Sequence, residues 1–347
     1  MTEQTDLTPG GTIQAFSFGD DVSVVDGPGL WSYFEGMWRN GEWYEPPVPF
    51  TGLAKSYRMS AHHQSAIKLK INFLKKLFVP SRWMDARTHE RALLDFLQMG
   101  NLFLEAVPNL AGRVLRYEVS PALHTRVGVE AGTYFWVKPD MIGFGSIYGD
   151  HQFAKGRIIH ILEPDVEQEI YGVPPWLSAL NSGLLNEAAT LFRRRYYKNG
   201  AHAGFVFYLS EPTISQEDAN AVRDQLKAAK GVGNFKNLFI HAPAGKKDGV
   251  QIMPIAEVAA KDEFLGIKNC SRDDLLAAHR VPPQLLGIIP QNNGGFGDVR
   301  SAADVFYELE IAPLIETMLQ INERTGLQVV NYRDYTPMAQ SGGAVSQ

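Results

Sequence analysis

Cysteine is almost missing: Cys270 stands alone among 347 residues. A lone thiol excludes an internal disulfide and suits a reducing compartment. No other metal-ligand spacing takes its place. The nine histidines are scattered, neither HxxxH nor HExxH occurs, and one cysteine builds no zinc cluster. Long apolar runs are also lacking, and none approaches the ~18–20 residues needed to cross a bilayer. The opening stretch MTEQTDLTPGGTIQAF has neither a basic start nor an apolar segment, so no secretory signal is expected. Positive charge is not in excess either. The formal net charge of −5 excludes a chain that is basic overall, and any contact with DNA is expected to be local or loose.

What is present divides along the chain. Its length suits about two domains. Residues 1–30, rich in Gly, Thr, Asp and Ser, read as an arm without its own core. The aromatic stretch WSYFEGMWRNGEWYEPPVPF (31–50) carries an NG turn and a proline pair, and its rings should pack on a neighbour or on the main body. The pattern predicts a helix over 53–79, with Ile67, Leu69, Ile71, Leu74 and Leu77/Phe78 apolar and Pro80 as its stop. A second helix is predicted over 86–99, with Leu93, Leu94 and Leu97 on one side and Gly100 after it. Strand-like runs follow at 102–107, 113–119, 134–137 and 157–162, with a hairpin turn at 109–112. This first part is α+β.

From Pro174 and Pro175 onward the pattern changes. A long helix is predicted over 176–198, ended by Asn199 and Gly200. A small β-α-β-β module follows, with strands over 204–209, 237–241 and 250–255 and a helix over 215–230. A second long helix is predicted over 256–281. At ~1.5 Å per residue the two would span ~35 and ~40 Å. Two rods flanking one small module describe a stalk with a head. Pro282 and Pro283 stop the returning rod. The uncharged stretch Asn292, Asn293, Gly294, Gly295, Phe296, Gly297 reads as a soft loop. Asp298 should cap a helix over 299–325 that Pro313 kinks or divides, with Gly326 as its stop.

Candidate chemistry is sparse. GGFGD (294–298) could hold a phosphate at a helix start, but no strand precedes it. AGKKD (244–248) has Lys247 where a P-loop needs Ser or Thr, so it reads as a solvated turn. GFGSIYG (143–149) lacks the helix a dinucleotide site requires, and Ser146 has no evident base. Cys270 reads as a buried structural thiol. EPDVEQEIYG (163–172) gathers Glu163, Asp165, Glu167 and Glu169; acid–base or metal chemistry would need them to converge in a cleft. Acids before a helix start also have a plain dipolar explanation. RRRYYK (193–198) is the densest basic patch. Lys261, Lys268 and Arg272 share a helix face but are interspersed with acids, which suits passing contact with DNA rather than tight binding. No catalytic residue, metal site or cofactor motif emerges.

Several stretches in order resemble the portal proteins of tailed bacteriophages, in particular the PBSX-type portals of temperate contractile-tailed phages. They are NGEWYEPP (40–47), DFLQMGNLFLE (95–105), LEPDVEQEIYGVPPWLSALNS (162–182), NEAATLFRRRYYKNGAHAGF (186–205) and AAKDEFLGIKNCSRDDLLAAHRVPPQLLGIIPQNNGGFGDV (259–299). The resemblance implies a non-enzymatic ring, usually of twelve copies, at one capsid vertex of the virion, assembled in the host cytoplasm. It implies an N-terminal arm (1–30), a wing (31–175), stem helices (176–200 and 255–281) and a clip (201–254). A tunnel loop (282–297), a long wing helix (298–326) and a short C-terminal crown or tail (327–347) complete the division. On the same basis Gly287, Gln291, Asn292, Asn293, Gly294, Gly295, Phe296 and Gly297 would project toward the DNA. Lys261, Lys268 and Arg272 would be candidates for the channel face, and Lys246, Lys247 and Asp248 for partner docking on the clip.

Implied partners are further copies of the chain, the terminase large subunit, the head-completion or connector protein, the major capsid and scaffold proteins, and double-stranded DNA held transiently without sequence preference. No membrane and no cofactor are implied. At −5 per copy, a ring of twelve would carry roughly −60, which favours a sliding duplex over a bound one. Two other classes remain open at this point. One is a phage nuclease using the acids of 163–169, and the other is a capsid scaffold or adaptor without a channel.

Overall fold

The computed structural model describes residues 41–137, 151–198, 260–288 and 298–337, with the strands Trp38–Arg39, Phe205–Leu209 and Val250–Pro254. The aromatic stretch begins as a hairpin, β1 (Trp38–Arg39) on β2 (Trp43–Tyr44), turning at Gly41 with φ of 74°. Trp43 and Phe50 are then buried in the body. Where one helix was expected over 53–79, there are two, α1 (Phe50–Ser56) and α2 (Ala61–Leu77). Ser60 caps the second by accepting the His62 N–H. The break lets Met59 fill the notch left by Gly183, where a Cβ would meet the Met59 sulfur at 2.5 Å. Tertiary packing thus overrides an uninterrupted helical pattern.

After α2 the chain makes a short strand, β3 (Phe78–Val79), which pairs with the last strand rather than extending the helix. Next comes α3 (Ala86–Met99), matching the predicted bounds. Asp85 caps it by accepting the Thr88 N–H at 2.7 Å, and Gly100, at φ of 68°, closes it. Two three-stranded antiparallel sheets follow. In one, β4 (Asn101–Pro108) lies between β5 (Val114–Ser120) and β9 (Ile158–Leu162). In the other, β7 (Tyr134–Trp136) lies between β6 (Thr125–Val127) and β8 (His151–Gln152).

Alternation along β4 divides the core. Leu102, Leu104 and Ala106 join one apolar cluster with α2, α3 and the C-terminal helices, while Phe103 joins the other with Trp176, Tyr171 and Leu275. Each buried leucine or phenylalanine here contributes roughly 2 kcal/mol. Asn101 ties the sheet to the segment that leads into the stalk. Its side chain donates to the Met99 and Gly172 carbonyls and accepts from the Gly172 N–H and the His160 ring. A Cβ on Gly172 would overlap the Gly100 carbonyl, so only glycine fits there.

Each rod is shortened at its body end, and the residues just before Ala260 lie outside the described ones. A 3₁₀ turn, Pro175–Ala179, precedes α4 (Leu180–Lys198), and α5 (Ala260–Ala278) returns. At 19 residues each they span ~28 Å. Ser182 bonds Asp274 and Asn186 bonds Ser271, so the two run antiparallel. The chain continues from them into an antiparallel ribbon, β10 (Phe205–Leu209) on β11 (Val250–Pro254). The third strand of the expected module therefore pairs with its first. The predicted helix over 215–230 and strand over 237–241 lie outside the described residues, as does GFGSIYG.

The C-terminal helix is capped as expected but divided differently. It runs as α6 (Val299–Phe306), a π turn (Tyr307–Ile311) and α7 (Ala312–Thr325), closed by Gly326 at φ of 65°. The Ala312 N–H reaches back five residues to the Tyr307 carbonyl. Pro313 has no N–H, and its ring would crowd the carbonyl four residues back; one wider turn relieves both. The last strand, β12 (Asn331–Tyr332), completes the body on β3.

Candidate functional site

The segment singled out by the sequence begins where α5 ends. His279 and Arg280 close that helix in a Schellman arrangement: the Val281 N–H bonds the Leu276 carbonyl and the Arg280 N–H bonds the Ala277 carbonyl. Leu276 and Val281 pack into the core, as that motif requires. Arg280 occupies the left-handed position, φ of 54°, that glycine usually fills, and it is the one non-glycine residue with positive φ among those described. A side chain there costs about 1–2 kcal/mol.

The side chain of Arg280 explains why it stands there. Its Nη1 lies 3.0 Å from Glu310 Oε2, and the other Glu310 oxygen lies 2.5 Å from Lys70 Nζ. Glu310 sits on the π turn, where the inserted residue lets Glu310 and Ile311 both face inward. Lys70 and Glu310 are each only 6% exposed, while the Arg280 side chain remains 62% exposed. Burial pushes the Lys70 pKa down and the adjacent Glu310 pulls it back up. Burial likewise raises the Glu163 carboxyl, which faces the same cluster. Lys70, Glu163, His279, Arg280 and Glu310, with Trp176, line a cavity of about 110 Å³.

A second polar link lies beside the first. His63 Nδ1 is 2.9 Å from His279 Nε2, and His63 Nε2 is 3.1 Å from Gln98 Oε1. The Gln98 amide nitrogen donates to the Leu53 carbonyl, so its oxygen accepts from His63. His63 Nδ1 is then bare and accepts the His279 Nε2 proton, with both rings neutral. Burial lowers His63 to about 4; burial, Lys70 and His63 together lower His279 to about 2.

Beyond Arg280 a 3₁₀ turn, Pro283–Leu286, ends on Gly287 at φ of 72°. Leu285, Leu286 and Ile288 rest against the main core. The first part of the expected loop, to Ile288, is therefore docked. Gln291, Asn292, Asn293, Gly294, Gly295, Phe296 and Gly297 lie outside the described residues, as do Lys246, Lys247 and Asp248. On the far side Asp298 accepts the Arg300 N–H at 3.0 Å and bonds the Ser301 hydroxyl.

The remaining candidates do not converge on chemistry. Arg272 bonds Asp273 and Asn269. Arg272 and Lys268 lie close enough to His62 to add to the effect of burial in lowering its pKa. Lys261 falls on α5, with its side chain outside the description. Cys270 is exposed, contrary to expectation, because Ser271 rather than Cys270 faces α4. The acid run scatters: Glu163 turns toward Lys70 and Arg280, while Asp165 accepts the Glu167 N–H. Among the described residues no three His, Cys, Asp or Glu side chains are placed to hold a metal ion. No described helix is long and apolar enough to cross a membrane. Sequence reasoning missed Lys70, His63, Arg280 and Glu310. One signal was available, since Lys70 interrupts the apolar stripe of Ile67, Ile71 and Leu74 on the buried face of α2.

Comparison with known proteins agrees with the fold. The family described as "Phage portal protein" matches residues 55–335. The probable portal protein of Escherichia phage P2 is 46% identical over 333 residues, covering 96% of this chain and 94% of that protein. A solved HK97 family phage portal protein from Corynebacterium diphtheriae superposes with a TM-score of 0.58 at 12% identity, covering 84% of this chain and 97% of that one. A chain from the neck of a native gene transfer agent particle, computed with C12 symmetry, gives 0.59 at 18% identity, with coverage of 88% and 92%. With the family matched over most of its length and close to half its residues shared with the P2 protein, this chain belongs to the phage portal protein family.

Proposed function

We propose that copies of this chain close into a ring at one capsid vertex, through which double-stranded DNA is packaged and later ejected. The ring is of twelve, an expectation supported by the C12 symmetry of the similar neck particle. The antiparallel pair α4 and α5 is the stem, and the ribbon β10–β11 is the base of the clip. The clip receives the terminase large subunit during packaging and the head-completion protein afterwards, with Lys246, Lys247 and Asp248 as the docking residues. The wing meets the major capsid and scaffold proteins.

The reading is carried by one observation: the glycine- and asparagine-rich stretch 291–297 is spanned by two roots that meet at a single buried carboxylate, Glu310. Such an arrangement suits a loop that yields to passing DNA while its stem-side root stays fixed. The loop's lack of charge limits counterion release and sticking. Lys261, Lys268 and Arg272 form the channel-facing row, and the pairing of Arg272 with Asp273 mutes their attraction for phosphate.

Electron microscopy of the purified chain tests the ring directly: closed rings with an axial hole are expected, and a monomer or an open aggregate overturns the reading. The low-friction role of the loop is tested by Asn292→Lys with Asn293→Lys. Rings persist, and DNA retention becomes salt-dependent where it was not before. Unchanged salt dependence would place the loop away from the duplex.

A further inference from the structure

A ring closed head to tail requires each copy to carry two unlike faces that fit one another. The described residues offer such a pair. The first is a groove of about 490 Å³ between α1 and the foot of α4. Its floor is apolar, made by Val48, Leu53, Met59, Leu177 and Leu180, and Leu184, 45% exposed, stands on its wall. Gly52 also lines it, inside α1, where glycine costs about 1 kcal/mol relative to alanine. A Cβ on Gly52 would meet nothing within 4 Å, so nothing in the packing of the described residues requires the glycine. Close approach by something from outside would require it.

The second face is a ridge on the C-terminal helix. Val305 and Leu309 project from successive turns, 55% and 72% exposed. The π turn that drives Glu310 inward leaves Leu309 outward. Leu110 and Val166 are more exposed still, but each stands singly between elements, whereas Val305 and Leu309 lie one turn apart on one helix. Charge complements shape. Lys55 and Arg58 line the groove, exposed and without an ion-pair partner among the described residues. Glu308, exposed beside Leu309, also lacks one. The groove's acid, Glu187, has its counterpart in Arg300, exposed at the loop end of the ridge.

We propose that the ridge of Val305 and Leu309 in one copy seats in the groove beside Gly52 of the next, with Glu308 of the first meeting Lys55 and Arg58 of the second. The inference rests on the ring reading above and assigns the contact that closes it. A consequence follows for the channel. The ridge lies on the same turn as the Glu310 carboxylate, so a neighbour seated on Leu309 would bear on the clamp that holds the loop roots.

The test uses the full chain, scored for ring fraction by electron microscopy and sedimentation, and for folding by thermal unfolding. Gly52→Trp fills the groove and Leu309→Asp spoils the ridge. Each should lower the ring fraction about tenfold or more while the fold survives. Glu308→Lys should weaken rings, and adding Lys55→Glu with Arg58→Glu should restore them. Wild-type ring levels in Gly52→Trp or in Leu309→Asp overturn the pairing, as they would if residues 1–37 filled the groove instead. Should a groove or ridge variant also unfold, the charge exchange decides, and failure to restore overturns the pairing. A wild-type chain that closes no ring overturns the ring reading itself.

Discussion

At its incoming end the loop is held by Arg280, in a left-handed turn, and by the buried pair His279 and His63. At its outgoing end it is held by Asp298, an exposed carboxylate bonded to its own helix start. The first attachment reaches across the sequence to α2 and to the C-terminal helix; the second is local. Only at Glu310, three turns beyond Asp298, does the outgoing side meet the same clamp. A pull on the outgoing end can therefore fray the first turn of α6 before it reaches Ala303 and Phe306, which are buried in the body. A pull on the incoming end meets buried polar bonds at once. The asymmetry teaches that the fold protects the stem-side root and leaves the other side compliant.

The largest break in that asymmetry should come from Glu310→Ala. It leaves the Lys70 ammonium buried without its carboxylate, and one-sided removal of a buried pair costs about 3–5 kcal/mol. Urea unfolding should show the midpoint falling with little change in slope. Replacing both partners, Lys70→Met with Glu310→Leu, should recover most of the loss, because no unpaired charge remains. If the double variant is no better than Glu310→Ala, the pair is not what holds the root.

Acid probes the neighbouring link. The folded pKa values of His63 and His279 lie below the unfolded value, so their contribution is fully present above about pH 6.5 and is lost as pH falls toward 4. Between pH 7.5 and 5 each should cost about 2 kcal/mol. Asp95, half-buried and raised to about 6 by its desolvation, works in the opposite sense and returns roughly 1 kcal/mol over that interval. Hydrogen exchange at pH 5 should accelerate over 279–288, and also in the first turn of α3, where buried His89 is likewise lowered to about 4, well before it does in α7, which carries no histidine.

Much of this architecture could be read from local chemistry. Helix α3 was legible to its ends because an apolar stripe stops at Gly100. Asp298 and Gly326 marked the last helix for the same reason, and the NG turn and the hairpin at Asn109 announced themselves. The break before Ser60 was not legible, because it depends on a sulfur seated against Gly183 in a helix more than a hundred residues away. Pro313 promised a kink, but the direction in which it is relieved depends on Lys70, 240 residues from Glu310. The loop's composition drew attention to residues 287–297, while the groups that anchor it, Arg280 and Glu310, look in sequence like ordinary surface charges. Their roles come from burial and a backbone angle, and neither has a local pattern.

Arg280 itself should yield a smaller effect whose sign depends on the replacement. Arg280→Ala keeps the left-handed strain and loses a half-exposed ion pair, and should cost about 1 kcal/mol or less. Arg280→Gly loses the same pair but relieves the backbone, so it should be more stable than the alanine variant by about 1 kcal/mol. Equal stability would mean that the φ of 54° is not costly at this turn.

The smallest effect is expected at Asp298, and it distinguishes the two ends most directly. Asp298→Ala removes an exposed cap and leaves every contact of the clamp in place. The amides of Arg300 and Ser301 should exchange faster, while the global melting temperature stays nearly where it was. If the melting temperature instead falls as far as it does for Glu310→Ala, the outgoing root is as tightly coupled to the body as the incoming one.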